Sequence, residues 1–119
     1  MNLFFKILAA VFTGLFIYAI AVQYNDPDAT RWYLYYGVAA LASVLFIFNQ
    51  LRISWAAVLL GFYVFMMFQV WPEKFEGVTI GEGDIVNIER GREALGLAIT
   101  AFAMLVYLLR MLFARKSKV

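Results

Sequence analysis

The side chains of this protein that can do chemistry fall in two short runs. One is Gln23-Tyr24-Asn25-Asp26-Pro27-Asp28; the other is Glu89 followed by Arg92-Glu93. Oxygen-rich clusters of this kind can hold a hard cation such as Ca²⁺, or the amine or guanidinium of a polar ligand. The first run resembles half of a calcium loop, but it lacks the regular alternation and closing Glu of an EF-hand. Paired carboxylates also act as general acid and base in glycoside hydrolysis, yet no nucleophile or oxyanion-hole motif accompanies these. A structural account competes with both. Asp26 suits the N-cap of a helix whose first position is Pro27, and Asp28 would complement the helix dipole or pair with Arg31. Capping motifs are far commoner than metal loops, so no metal is assigned.

The absences narrow the chemistry further. The chain has no Cys and no His, which removes thiol catalysis, thiolate metal sites and the commonest general base and metal ligand. It has no Gly-rich phosphate loop and no zinc spacing. No cofactor and no catalytic residue are expected, and an enzyme is the less favoured class.

The elements that must position the two runs are apolar. The 119 residues are 65% hydrophobic, where soluble chains sit nearer half. Four stretches, approximately 7–24, 32–48, 53–71 and 94–113, approach the roughly 20 mostly apolar residues that a spanning helix needs. The expected fold is an all-α membrane protein: a single domain over 1–119 forming a four-transmembrane-helix antiparallel bundle, with a long outer loop at 72–93. The run from Ile7 to Ala21 resembles a signal peptide, but it continues through Val22 and Tyr24 without a polar region and reads as a retained first span.

Charge supplies the orientation. All eight acids fall in or beside the first and third connections, together with Arg31, Lys74, Arg90 and Arg92. The other side carries Lys6, Arg52, Arg110, Arg115, Lys116 and Lys118 and no acid. Orientation follows the Lys/Arg bias of short loops, so both termini are expected in the cytoplasm and the acidic loops outside. The Arg115-Lys116-Lys118 cluster reads as a flank of the last span rather than a nucleic-acid patch.

Along the spans, Ala10/Gly14 and Ala57/Gly61 form small-xxx-small pairs suited to close helix approach, and Gly37, Ala40 and Ser43 supply narrow helix surface deeper in the membrane. Trp32, Tyr33, Tyr35 and Tyr36 read as an aromatic belt at the outer interface, and Trp55 as an anchor at the inner one. The short link 49–54 makes the second and third spans antiparallel neighbours. Gly77, Gly81 and Gly83 make the third connection turn-rich, and Asp84 is placed to cap a helix that starts at Ile85 and continues into the last span. No Asp, Glu, Lys, Arg or His lies between the belts, which counts against a pump, an antiporter or a voltage sensor. The interior polar groups, Thr13, Tyr18, Ser43, Tyr63, Thr100 and Tyr107, are expected to find partners on the backbone or on neighbouring helices.

The run from Gln23 to Asp28, followed by Trp32 and Tyr36, resembles the signature of the transmembrane-protein-220 family of small four-span proteins. Glu89, Arg92-Glu93 and Gly96-Leu97 at the head of the last span are also similar to that family. The resemblance covers nearly the whole chain, although its specific motifs occupy these two patches. It implies a multi-pass membrane protein and no borrowed mechanism. The resulting expectation is a non-enzymatic binding or accessory subunit of the cytoplasmic membrane. Its outer face would recognise a ligand or partner through Gln23, Asn25, Asp26, Asp28, Trp32, Glu89, Arg92 and Glu93. The alternative is a membrane enzyme or carrier for a lipid-like substrate that uses the outer carboxylates. The expected surroundings are the lipid bilayer and a homo-oligomer or larger membrane complex, with no nucleic acid.

Overall fold

A computed structural model describes residues 3–23, 29–71 and 85–117, with side chains of the last helix described over 90–113. The described residues form four helices and no strand: α1 (Leu3–Ala21), α2 (Ala29–Ile47), α3 (Ile53–Val70) and α4 (Ile85–Ser117). Three of them contain stretches long and apolar enough to cross a membrane: Leu3–Ala21, Ile53–Val70 and Arg90–Phe113. Helix α2 has the same 19 residues as α1. It falls short in composition, because Thr30, Arg31, Trp32, Tyr33, Tyr35 and Tyr36 fill its first turns.

The helix ends follow from local chemistry. Helix α2 stops in a left-handed cap at Asn49, whose φ is 59°. The Gln50 N–H donates to Leu45 O at 2.7 Å and the Asn49 N–H to Phe46 O at 3.1 Å, the paired bonds of a Schellman motif. Asn tolerates that conformation better than other non-glycine residues. Leu51, buried just beyond the cap, fixes the turn into α3. Helix α3 ends at Val70; Trp71 is extended, with φ −57° and ψ 132°, as the residue before a proline should be. Helix α4 begins at Ile85, as the sequence leads one to expect, while the Asp84 cap lies outside the described residues. So do the Asp26 cap and the third connection up to that point. At 33 residues, α4 is about 50 Å long at 1.5 Å per residue, well beyond its apolar stretch.

The closest helix pairs are α1 with α2 and α3 with α4, and α2 also packs on α4. Buried alanines explain the close approach: Ala9 on α1, Ala39 and Ala42 on α2, Ala56 on α3, and Ala94, Ala101 and Ala103 on α4. The small pairs singled out from sequence are turned the other way. Ala10, Gly14, Ala57 and Gly61 are exposed, and nothing lies within 4 Å of a Cβ built on Gly14 or Gly61. The short link does bring α2 beside α3, but their contact is made by large side chains. Tyr63 hydroxyl donates to Tyr35 O at 2.6 Å, and the Phe62 ring meets Tyr35 at 5.7 Å. Aromatic bulk therefore keeps these two axes further apart than the alanine-lined pairs.

The inward faces repeat at alternating steps of three and four residues, the spacing of knobs-into-holes packing. They are Ala9, Phe12 and Phe16 on α1; Trp32, Tyr36, Ala39, Ser43 and Phe46 on α2; and Leu97, Thr100, Met104 and Tyr107 on α4, while on α3 Ala56, Tyr63 and Val70 recur at every seventh residue. The belt reading of the α2 aromatics is corrected here. Trp32 and Tyr36 lie in the core, and of the four only Tyr33 falls in the exposed class.

Candidate functional site

Two buried layers occupy the seam between α2 and α4, which run in the same direction: Tyr36 meets Gly96, and Ser43 meets Tyr107 further along. In the deeper layer every polar atom has a partner. Ser43 Oγ donates to Ala39 O at 2.9 Å, so the Tyr107 hydroxyl must be the donor in the 2.7 Å bond between Ser43 and Tyr107. The Tyr107 ring stacks on Phe46 at 4.4 Å and meets Phe12 edge-on at 6.1 Å. This one residue therefore ties α1, α2 and α4 together. Thr13 and Thr100 back-bond to Ala9 O and Leu97 O at 2.8 and 2.7 Å, and Tyr63 reaches Tyr35 O as described above. Of the interior polar residues expected to be satisfied, only Tyr18 lies elsewhere, exposed on the outside of α1.

The layer at the heads of α2 and α4 is different. Trp32 is 2% exposed, and its indole Nε1–H has no hydrogen-bond partner. A buried donor without an acceptor is uncommon and costly. Its ring meets Tyr35 edge-on at 5.1 Å and Tyr36 at 6.0 Å. Above it, the Arg31 guanidinium lies over Trp32 at 5.5 Å and Tyr35 at 5.4 Å, and its Nε–H donates to the Tyr35 hydroxyl at 2.8 Å. Tyr36 crosses to α4, where its phenol oxygen abuts Gly96; a Cβ there would meet Tyr36 Cζ at 3.2 Å and the hydroxyl closer still. The half-buried Glu93 lies near enough to act electrostatically on the Tyr36 phenol, and Tyr36 in turn on Tyr63.

Of the two sequence patches, the structure brings Tyr36 of the first against Gly96 of the second. Trp32 meets Tyr36 at 6.0 Å, and half-buried Glu93 precedes Gly96 by three residues on α4. Arg92 is exposed, and Gln23 is half-buried at the end of α1. Asn25, Asp26 and Asp28 lie outside the described residues, as does the side chain of Glu89, one helical turn before Glu93. Among the described residues no three carboxylates converge on a metal position. Sequence reasoning placed Tyr36 and Gly96 in the motif but not in the site. The available signal was the spacing of Trp32, Tyr36, Ala39, Ser43 and Phe46 along one helix face.

Apolar helices surrounding a small polar layer define an all-helical membrane protein. The model of the family described as Transmembrane family 220, helix, matches residues 15–109. The chain belongs to that family. The match spans both the Trp32–Tyr36 and the Glu93–Gly96 segments. No solved structure matches the chain.

Proposed function

We propose that this protein is a non-enzymatic, multi-pass subunit of the cytoplasmic membrane that recognises a partner protein or small polar ligand at its outer face. All four helices cross the membrane as an antiparallel bundle, with both termini cytoplasmic. For α2, whose composition is the least apolar, packing supports the crossing: Trp32, Tyr36 and Phe46 are turned into the core rather than toward lipid. The Lys/Arg distribution supports the orientation. The proposed site comprises Trp32, Tyr36 and Glu93, with Gln23, Asn25, Asp26, Asp28, Glu89 and Arg92 as its further candidate residues.

The observation that carries this reading is the unpartnered indole N–H of Trp32, buried beside Tyr36. It is a donor held by a helix rather than by a loop, and a partner bringing an acceptor would match it. Outward-facing small residues on α1 and α3 suit lateral association within a larger complex.

Mild-detergent purification followed by mass spectrometry of co-purifying proteins and lipids tests it. A stoichiometric protein partner, lost from Trp32→Phe and Glu93→Gln variants that keep their helicity and elution profile, is the expected result. A single enriched lipid lost from the same variants would replace this reading with a carrier of lipid-like substrates. Retention of the partner by both variants would remove these residues from the site. Reporter fusions at Val119 and within residues 79–83 should show opposite sidedness, and an external C-terminus would overturn the orientation.

A further inference from the structure

At the opposite end of the helices, Arg110 of α4 is held in an unusual setting. Its guanidinium lies over the Phe5 ring of α1 at 5.0 Å, and its Nε is buried with no hydrogen-bond partner. The side chain as a whole stays partly exposed. It sits one helical turn before Phe113, the end of the apolar stretch; a span ending there would put it at the depth where acyl chains give way to headgroups. Lys6, half-buried, follows Phe5 on α1, and Arg52 caps the neighbouring turn with its guanidinium over Trp55 at 5.2 Å. Every carboxylate side chain of the protein belongs to residues 26–28 or 73–93, and none to α1, α3 or residues 94–119. Arg110 is therefore a cation held in place near the end of an apolar stretch, and no acidic residue belongs to α1 or to the sequence that follows Glu93.

We propose that Arg110 binds the phosphate of an anionic phospholipid, whose acyl chains lie along the apolar outer surfaces of α1 and α4. A phosphate oxygen is the acceptor a guanidinium fork recognises best, and lipid is the anion source present at that depth. The stack on Phe5 fixes the plane of the fork before the lipid arrives, so little side-chain entropy remains to be lost. Phe4, Leu109 and Phe113, exposed beside these residues, give the chains an apolar bed. Arg52, more exposed and stacked on its own tryptophan, is not part of the site.

The test is the thermal unfolding of the full chain in mild detergent, titrated with phosphatidylglycerol, with phosphatidylcholine of the same chains, and with inorganic phosphate. A ligand that binds only the folded form raises the transition in proportion to the logarithm of its concentration over Kd. Phosphatidylglycerol should stabilise the wild type more than phosphatidylcholine, and inorganic phosphate should not reproduce the effect. Apparent affinity should fall roughly tenfold in Arg110→Gln, as expected for loss of a charge-assisted pair, and hold within about twofold in Arg52→Gln. Equal response to the two lipids by the wild type overturns the proposal even if Arg110→Gln fails to fold. So does an equal loss in Arg52→Gln, which would reduce the effect to general surface charge. An equal shift with inorganic phosphate would remove the lipid from the assignment.

Discussion

The two buried layers on the α2–α4 seam are built from the same materials and end differently. Around Tyr107, a hydroxyl, a serine and a backbone carbonyl form a closed chain of donors and acceptors, wrapped by Phe12 and Phe46. Around Tyr36, an equally buried tryptophan keeps a free donor, and a glutamate approaches a phenol. Away from water an unmade hydrogen bond costs more than a made one gains, so a layer that serves only to hold helices together should close its bonds. The Tyr107 layer does so and reads as structure. The Trp32–Tyr36 layer does not, and the proposed recognition site rests on that open indole donor.

The largest effect that separates the layers should come from Gly96. Gly96→Ala drives a methyl group into the Tyr36 phenol, and overpacking of this kind costs about 1–3 kcal/mol. Thermal unfolding in detergent would register it. Adding Tyr36→Phe removes the hydroxyl that collides and should return part of the loss. If the double variant is as unstable as Gly96→Ala alone, the contact between phenol and glycine is not what sets the spacing of α2 and α4.

Next in size is the closed layer. Tyr107→Phe deletes the donor to Ser43 and should cost about 0.5–1.5 kcal/mol. Ser43→Ala in the same background should add little further, because residues in one hydrogen-bonded chain are not additive. Full additivity of the two would show that the bond contributes nothing as a unit. Trp32→Phe, by contrast, removes a donor that has no partner, so its stability cost should reflect lost ring area alone and its main effect should fall on recognition.

Much of this architecture could be read from the residues, for reasons that also explain what could not. Helix ends are set by local chemistry, so the start of α4 at Ile85 and the release of α3 before Pro72 were visible in advance. The satisfaction of Ser43, Thr100, Tyr63 and Tyr107 was visible too, since an apolar span leaves a polar group few alternatives. Inward faces were not, because in lipid the outside of a helix is as apolar as its core and the usual amphipathic signal disappears. Trp32 and Tyr36 consequently read as interface anchors, and Gly14 and Gly61 as contact points. For the proposed site, residue types could nominate Trp32 and Glu93 by their chemistry but not the contact of Tyr36 with Gly96, which depends on which side of α2 faces α4.

The smallest expected effect is also the sharpest test of the fold's outside. Gly14→Ala and Gly61→Ala place methyl groups where nothing lies within 4 Å, so the stability of the isolated chain should change by no more than about 0.5 kcal/mol. Their neighbours Ala10 and Ala57 complete an outward stripe on each helix, and close helix approach between chains would use that narrow surface. Crosslinking or light scattering of the two variants in mild detergent then separates two outcomes. Unchanged stability with an unchanged oligomeric state means that the stripes are lipid-facing and that Gly is tolerated there for want of contact. Unchanged stability with a smaller particle means that a neighbouring helix packs on α1 or α3. A large loss of stability in the monomer would contradict the orientation of both helices and, with it, the assignment of Phe12, Phe16 and Tyr63 to the core.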